Sequence, residues 1–205
     1  MNPYPVAYEQ HPPERRNRLT VFFRFLTVIP LFIWAFFYGI AFFVVQVIAW
    51  FAIVFTGRFP QGLYDFCAGY LRFTARLCGY CLLVVDEYPP FDGAEHPAYP
   101  VRTHIAPPAA RYSRLKAFFR LILAIPIFIL QYVFQFWMLA VAIAIWVVAV
   151  VTGRTSPALT DAVRFPISYY VRSNAYVYLM TDAYPPLSDA EAAPVATAPP
   201  APLPV

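Results

Sequence analysis

Charge is what this sequence has least of. Asp, Glu, Lys and Arg make up 13% of its 205 residues, where an average soluble domain carries about 25%. The shortage is concentrated: no charged residue falls between Phe25 and Gly57 or between Leu121 and Gly153. Without a carboxylate or lysine in those blocks, proton- or sodium-coupled transport has little to work with. Histidine is also sparse. His11, His96 and His104 lie in Pro-rich segments outside the blocks, where a haem ligand or an intramembrane proton relay is not expected. Three cysteines, Cys67, Cys78 and Cys81, cannot all pair, and they give no sign of an oxidised extracellular framework. Cys78 and Cys81 form a C-x-x-C pair, but no second pair and no nearby His completes a metal site, so packing cysteines are expected. Acidic residues are scattered, whereas acid-base catalysis needs titratable groups converging on one pocket. The expectation is a non-enzyme with no cofactor and no metal.

Apolar and aromatic surface is abundant instead: 60% of the residues are hydrophobic, with 20 Phe, 15 Tyr and 4 Trp. This composition points to lipid as the solvent, because Trp and Tyr gather where hydrocarbon meets headgroups. The formal charge is +4, and Arg15, Arg16, Arg18, Arg111, Arg114 and Lys116 sit just ahead of the two apolar blocks. That placement reads as membrane orientation and contact with anionic headgroups, and not as nucleic-acid binding. The first basic run imitates a secretory signal, but no small-residue cleavage site follows it and the pattern returns in mid-chain. It is read as mature protein.

The chain is one unit written twice. An offset of 96 aligns Arg18 to Pro90 with Arg114 to Pro186 without a gap, and 24 of the 73 pairs are identical. Matched blocks include Phe22-Phe23-Arg24 with Phe118-Phe119-Arg120, Ile29-Pro30 with Ile125-Pro126, and Thr56-Gly57-Arg58 with Thr152-Gly153-Arg154. Trp50 meets Trp146, Asp65 meets Asp161, and Tyr88-Pro89-Pro90 meets Tyr184-Pro185-Pro186. A shorter echo, Tyr4-Pro5-Val6 and Tyr99-Pro100-Val101, stands ahead of each unit at an offset of 95. Such self-similarity fixes the body plan before any finer reading. It also filters function, because the cysteines face Val163, Asn174 and Val177 in the second copy.

Each uncharged block is 33 residues long. As one helix it would measure about 50 Å, well beyond a hydrocarbon core of about 30 Å. The length predicts a membrane hairpin in each block, with spans at about 18–38 and 40–56 and at about 114–134 and 136–152. The turns fall near Tyr38-Gly39 and Phe134-Gln135, Pro30 is tolerated as a kink, and Arg24 and Arg120 snorkel to the headgroups. The rival makes residues 14–29 an interfacial helix and 31–56 one long tilted span. The positive-inside bias favours the hairpin, which returns Arg58 and Arg154 to the side of the basic lead-ins. In the next stretch, Asp65, Gly69, Arg72 and Arg76 share a narrow helical face. Asp161, Ser168 and Arg172 occupy the equivalent face. Residues 63–84 and 159–180 are therefore expected as amphipathic helices in the interface plane.

The fold expectation is all-α integral membrane, with two tandem parallel repeats at 1–93 and 94–188. Each repeat is a transmembrane hairpin plus an interfacial helix, preceded by a short extended Tyr-Pro segment. Four spans leave both termini cytoplasmic. Residues 189–205, rich in Ala and Pro, are expected as a disordered tail.

The string from Phe55 to Phe66, with Leu71-Arg72-Phe73-Thr74-Ala75-Arg76 and Asp86-Glu87-Tyr88-Pro89-Pro90-Phe91 after it, resembles a bacterial membrane family known as domain of unknown function 4389. The Arg18 to Pro30 lead-in does too. The likeness covers most of residues 4–92 and, more weakly, 99–187. It implies a bacterial inner-membrane protein with paired copies and implies no activity. The second copy departs from it at Thr155-Ser156-Pro157, where the first has Phe59-Pro60-Gln61.

Two groups of residues are candidates for function. Gly57, Arg58 and Asp65, with Gly153, Arg154 and Asp161, mark a sharp exit turn, an arginine able to reach phosphate, and a carboxylate placed to complement the next helix. With Arg72, Arg76 and Arg172 they form a candidate lipid-headgroup site or a purely structural turn. Gln46, Gln131 and Gln135 are candidate intramembrane polar contacts. The first functional expectation is a non-enzymatic membrane scaffold or accessory subunit that contacts anionic lipid and another membrane protein or itself. The second is a small transporter or lipid-handling protein with a site between the repeats, around Gln46 and Gln131.

Overall fold

In the computed structural model, which describes residues 4–13, 18–154 and 156–188, each copy is a strand followed by helices, and the second copy has one helix more. The first contributes strand β1 (Val6–Gln10) and helices α1 (Arg18–Phe22), α2 (Arg24–Thr56) and α3 (Gln61–Cys81). The second contributes strand β2 (Val101–Ile105) and helices α4 (Arg114–Phe118), α5 (Arg120–Leu123), α6 (Ile125–Thr152) and α7 (Pro157–Val177). The tail expected to be disordered, and Arg15 and Arg16, lie outside the described residues.

The turns expected at Tyr38-Gly39 and Phe134-Gln135 are corrected: both pairs lie inside uninterrupted helices. A glycine within a helix costs only about 1 kcal/mol, and Gly39 returns part of it by letting the Tyr70 hydroxyl come within 3.4 Å of where a Cβ would stand. The chain turns instead at Gly57 and Gly153, which are left-handed at φ 71° and 69°. Their N–H groups close the last turns onto Ile53 and Ala149. Thr56 Oγ1 donates to the Ala52 carbonyl and accepts from the Arg58 N–H, and Thr152 repeats this with Val148 and Arg154. The hairpin of each unit is therefore α2 with α3, and α6 with α7. Thr27 and Tyr80 hydroxyls meet at 2.7 Å, Phe42 stacks on Tyr70 at 4.2 Å, and Cys67 lies beside Gln46, so α3 returns along the length of α2.

The two copies accommodate the same proline differently. Having no N–H, it removes a helical hydrogen bond. The second copy breaks at Ala124, two residues before Pro126, whereas Pro30 is carried inside α2.

The expectation of interfacial helices at 63–84 and 159–180 is also corrected. Leu71, Phe73 and Ala75 are fully buried in α3, as are Ile167, Val171 and Ala175 in α7. The polar stripe is real, but the chain after Asp86 folds back over it, so that Gly93 lies against Gly69 too closely for a Cβ on either. On the far side of α3 and α7 lies a two-stranded antiparallel sheet, one strand from each copy, with β1 on α7 and β2 on α3. Tyr8 pairs with Thr103, its own counterpart at the offset of 95. The two-fold axis of the duplication therefore passes between them, normal to the sheet.

Gly57→Ala and Gly153→Ala should each cost about 1–2 kcal/mol, the penalty for an L-residue in the left-handed region. Gly62→Ala, where a Cβ meets nothing within 4 Å, should instead stabilise by about 0.5–1 kcal/mol. Denaturation midpoints in one detergent would check the opposite signs.

Candidate functional site

Each copy is locked by a buried arginine that sequence reasoning had sent to the membrane surface. Arg24, 5% exposed, donates to the carbonyls of Tyr80 and Val85 and to the Asp86 carboxylate, all at 2.7 Å. Arg120, 2% exposed, donates to Thr181 O at 3.1 Å and to Asp182 Oδ1 at 2.7 Å. Each guanidinium also lies over a tyrosine face, Tyr80 at 4.2 Å and Tyr176 at 4.0 Å from the ring centroid. The Nε of each has no hydrogen-bond partner among the described residues, while the ring quadrupole attracts the cation through its flat face. The snorkelling of Arg24 and Arg120 is thereby corrected, since a carboxylate and freed carbonyls at the end of α3 and α7 solvate the charge better than a distant interface can. The signal was present in the repeat: Arg24, Tyr80 and Asp86 match Arg120, Tyr176 and Asp182.

A second pair of arginines closes each exit. Arg76, 3% exposed, donates to the carbonyls of Asp92 and Ala94 and lies 3.6 Å from the Asp92 carboxylate. Burial pulls its guanidinium below the usual arginine value. The hydrogen bond with His96, 2.7 Å away, holds the Asp92 carboxyl below the usual carboxylate range. Arg172, fully buried, donates to Ser168 O and to Ser188 O, the counterpart of Asp92. Arg72 pairs with Glu95 at 2.7 Å. Arg72, Arg76 and Arg172 thus each direct at least one donor to the chain folded over the stripe, to Glu95, to Asp92 and Ala94, and to Ser188, and not to the open surface where a headgroup would lie.

The remaining candidates divide. Arg58 and Arg154 project into the open just past Gly57 and Gly153. Gly57 O accepts from Tyr112 N–H at 2.9 Å, which brings Arg58 to the same corner as the exposed Arg111, Arg114 and Lys116. Asp65 and Asp161 are exposed, each the fifth residue of its helix and so past the first turn. Asp65 accepts from Gln61 at 2.8 Å, and neither residue caps. Gln46 meets Cys67, Gln131 donates to Ser173 Oγ at 2.6 Å, and Gln135 is exposed. These two half-buried glutamines thus serve helix contacts within their own copies.

Two apolar grooves lie on the seam between the copies at equivalent places. One, of about 390 Å³, is bordered by Val28, Phe32, Arg24 and Leu83 of the first copy and Trp146 of the second. The other, of about 360 Å³, is bordered by Arg120, Leu121 and Leu179 of the second copy and Gln46 and Trp50 of the first. Leu83 and Leu179 hold the left-handed conformation at φ 59° and 64°, a strained choice made twice at the groove walls. Among the described residues, no three His, Cys, Asp or Glu gather as a metal site.

A family model described as "Domain of unknown function (DUF4389)" matches the chain twice, at residues 18–92 and 114–188. No curated protein and no solved structure matches it.

Removing one partner of either lock, by Arg24→Ala, Asp86→Asn, Arg120→Ala or Asp182→Asn, should destabilise by on the order of 3 kcal/mol. A double-mutant cycle within one lock should be strongly non-additive, and a cycle across the two locks nearly additive. Cys78 and Cys81 are free thiols that burial pushes up to about 12 and about 11. At pH 8 both are protonated, so iodoacetamide should react roughly 100-fold more slowly than with an unhindered cysteine. The rate should recover on unfolding.

Proposed function

The chain belongs to that family of unknown function, carrying its domain in two tandem copies, and from its exposed apolar helices we propose a non-enzymatic membrane scaffold or accessory subunit. Its apolar helices meet lipid, and its other surfaces serve a membrane-protein partner or a second copy. The observation that carries the reading is the exposed surface of α2 and α6. Both helices are long and apolar enough to cross a membrane, and little of either is covered. Phe25, Phe36, Phe43 and Phe55 are exposed by 65%, 64%, 67% and 71%. Leu121 and Val151 are exposed by 71% and 69%. Soluble monomers rarely leave contiguous apolar patches beyond a few hundred Å², and these helices are each about 40–50 Å long. The bacterial inner membrane is the location the family resemblance implies, and the basic segments ahead of the apolar blocks favour termini on the cytoplasmic side.

Anionic lipid is the ligand chemistry that suits the exposed arginines, Arg58 and Arg154, together with Arg111, Arg114 and Lys116. Arginine and lysine near a membrane surface each contribute about 1 kcal/mol of attraction to anionic headgroups. The twin grooves favour a second reading, a lipid-handling protein that shelters acyl chains at the seam between its copies, since both are apolar and walled by both repeats.

Fractionation should place the protein with membranes, and purification in mild detergent should retain a partner or a dimer by native mass spectrometry. A monomer under every gentle condition would sink the scaffold reading. Combining Arg58→Ala with Arg154→Ala should lower the anionic lipid that co-purifies, while Gln61→Ala should not.

A further inference from the structure

An apolar helix 33 residues long invites the assumption that it crosses the bilayer, but the elements beside α2 constrain how it can stand. α3 runs back along α2 from Cys67, near Gln46, to Tyr80, beside Thr27. β2 in turn runs along α3: Val101 lies against Gly79, and the carbonyl of Ala106 accepts from the Tyr64 hydroxyl at 2.6 Å. Helix, helix and strand share one direction. An upright α2 would therefore carry the sheet, which lies alongside its middle, into the bilayer.

The sheet cannot tolerate that. Among the described residues it has two strands, with no third strand on either edge, and unpaired backbone groups are not found facing hydrocarbon. Its outward face carries Glu9, Arg102 and His104, with Glu9 3.5 Å from His104, and the neighbouring loop adds Glu87, Asp92 and Glu95, all exposed. Charges at mid-bilayer depth are costly unless buried in protein. The opposite surface, formed by the outer faces of α2, α5 and α6, is apolar from Phe25 to Phe55 and from Leu121 to Val151, with Gln135 its one exposed amide among the described residues.

Symmetry leads to the same orientation. Trp50, near the end of α2, donates to Ala117 O at the start of the second copy's helices, and Trp146, near the end of α6, borders Val21 and Phe22 of α1. α2 and α6 are therefore antiparallel. Standing upright, they would invert one copy relative to the other and put Arg58 and Arg154 on opposite sides of the membrane. Lying flat, they turn the two-fold axis onto the membrane normal and bring both basic corners into one headgroup layer, as the positive-inside bias prefers.

We propose that α2 and α6 do not span the bilayer but lie in the plane of a single leaflet, their outer faces in its acyl region and the β1–β2 sheet in water. Arg58 and Arg154 sit at opposite ends of the embedded slab, at the level of anionic headgroups. This deepens the membrane reading above and rests on it. Seating of about 5–10 Å into one leaflet is the depth amphipathic surface helices reach.

The test uses the full-length protein in vesicles of phosphatidylethanolamine and phosphatidylglycerol, 3:1. Flotation comes first: failure to float with these vesicles overturns the membrane reading itself and this proposal with it. For protein that floats, polarised infrared dichroism of aligned bilayers reads helix tilt without any substitution. The expected amide I signal is that of helices in the membrane plane. Dichroism of upright helices would overturn the flat seating and leave the membrane reading standing. As a second measurement, Gly62→Cys, Ala158→Cys and Arg102→Cys are made one at a time with the native cysteines replaced by alanine. A membrane-impermeant maleimide should label all three from the same side of inverted bacterial vesicles. Labelling of Gly62→Cys and Ala158→Cys from opposite sides would reject the proposal.

Discussion

The buried pairing of Arg24 with Asp86, repeated as Arg120 with Asp182, is the constraint on which the rest of each copy depends. It joins the first residue of α2 to the chain just beyond α3, so the long helix and its return partner must run side by side and the exit must leave where the helix began. A guanidinium so placed is costly to desolvate, and two backbone carbonyls, a carboxylate and a tyrosine face offset that in the first copy. The exit segment is then delivered over α3, where Arg76 takes up Asp92 and Ala94 and Gly69 admits Gly93. Only with that stripe covered can α3 be a central helix. Only with α3 and α7 central can β1 and β2 meet on top of them across the two-fold axis.

The repeat, the apolar blocks and the Thr-Gly-Arg turns were legible in the sequence because each is local: identity at a fixed offset, an unbroken run, a glycine after a threonine. The hairpin position was not. A helix of about 50 Å needs to fold back on itself only if it crosses the bilayer. A helix lying in a leaflet has no such ceiling, and nothing between Phe36 and Phe43 favours a turn over continued hydrogen bonding. The same gap misplaced the arginines. The partners of Arg24 lie about 60 residues away and those of Arg76 about 16 to 18, distances at which periodicity within one helix says nothing. The duplication could have supplied them, because Asp86 and Tyr80 reappear as Asp182 and Tyr176 where most surrounding residues have drifted.

The two copies share the locks and differ in what they wrap around them. The close approach of Gly69 and Gly93 has no counterpart, since Phe165 stands in the place of Gly69. Phe165 instead meets the Phe134 ring edge-on and lies 6.0 Å from the Arg172 guanidinium. Arg72 and its bond to Glu95 are replaced by Ser168. The C-x-x-C pair falls in the same category. Its thiols fill space between α3 and its neighbours in the first copy, where the second uses Asn174 and Val177. Features held in one copy tune packing, whereas the matched arginines, tyrosines and aspartates set the architecture.

Seating the slab in one leaflet also reconciles two facts that the sequence put in opposition. The basic lead-ins and the Thr-Gly-Arg turns carry the same charge, which asks for one side of the membrane, yet a 33-residue helix separates Arg24 from Gly57. A fold-back within the block was one way to satisfy both. The antiparallel pair is another, for each helix then delivers its turn to the corner where the other copy begins, as the hydrogen bond from Tyr112 to Gly57 records. The grooves follow from that exchange of ends. Each is the gap left where one copy's lead-in meets the other copy's tryptophan, Trp146 or Trp50, and both are reached from the apolar face.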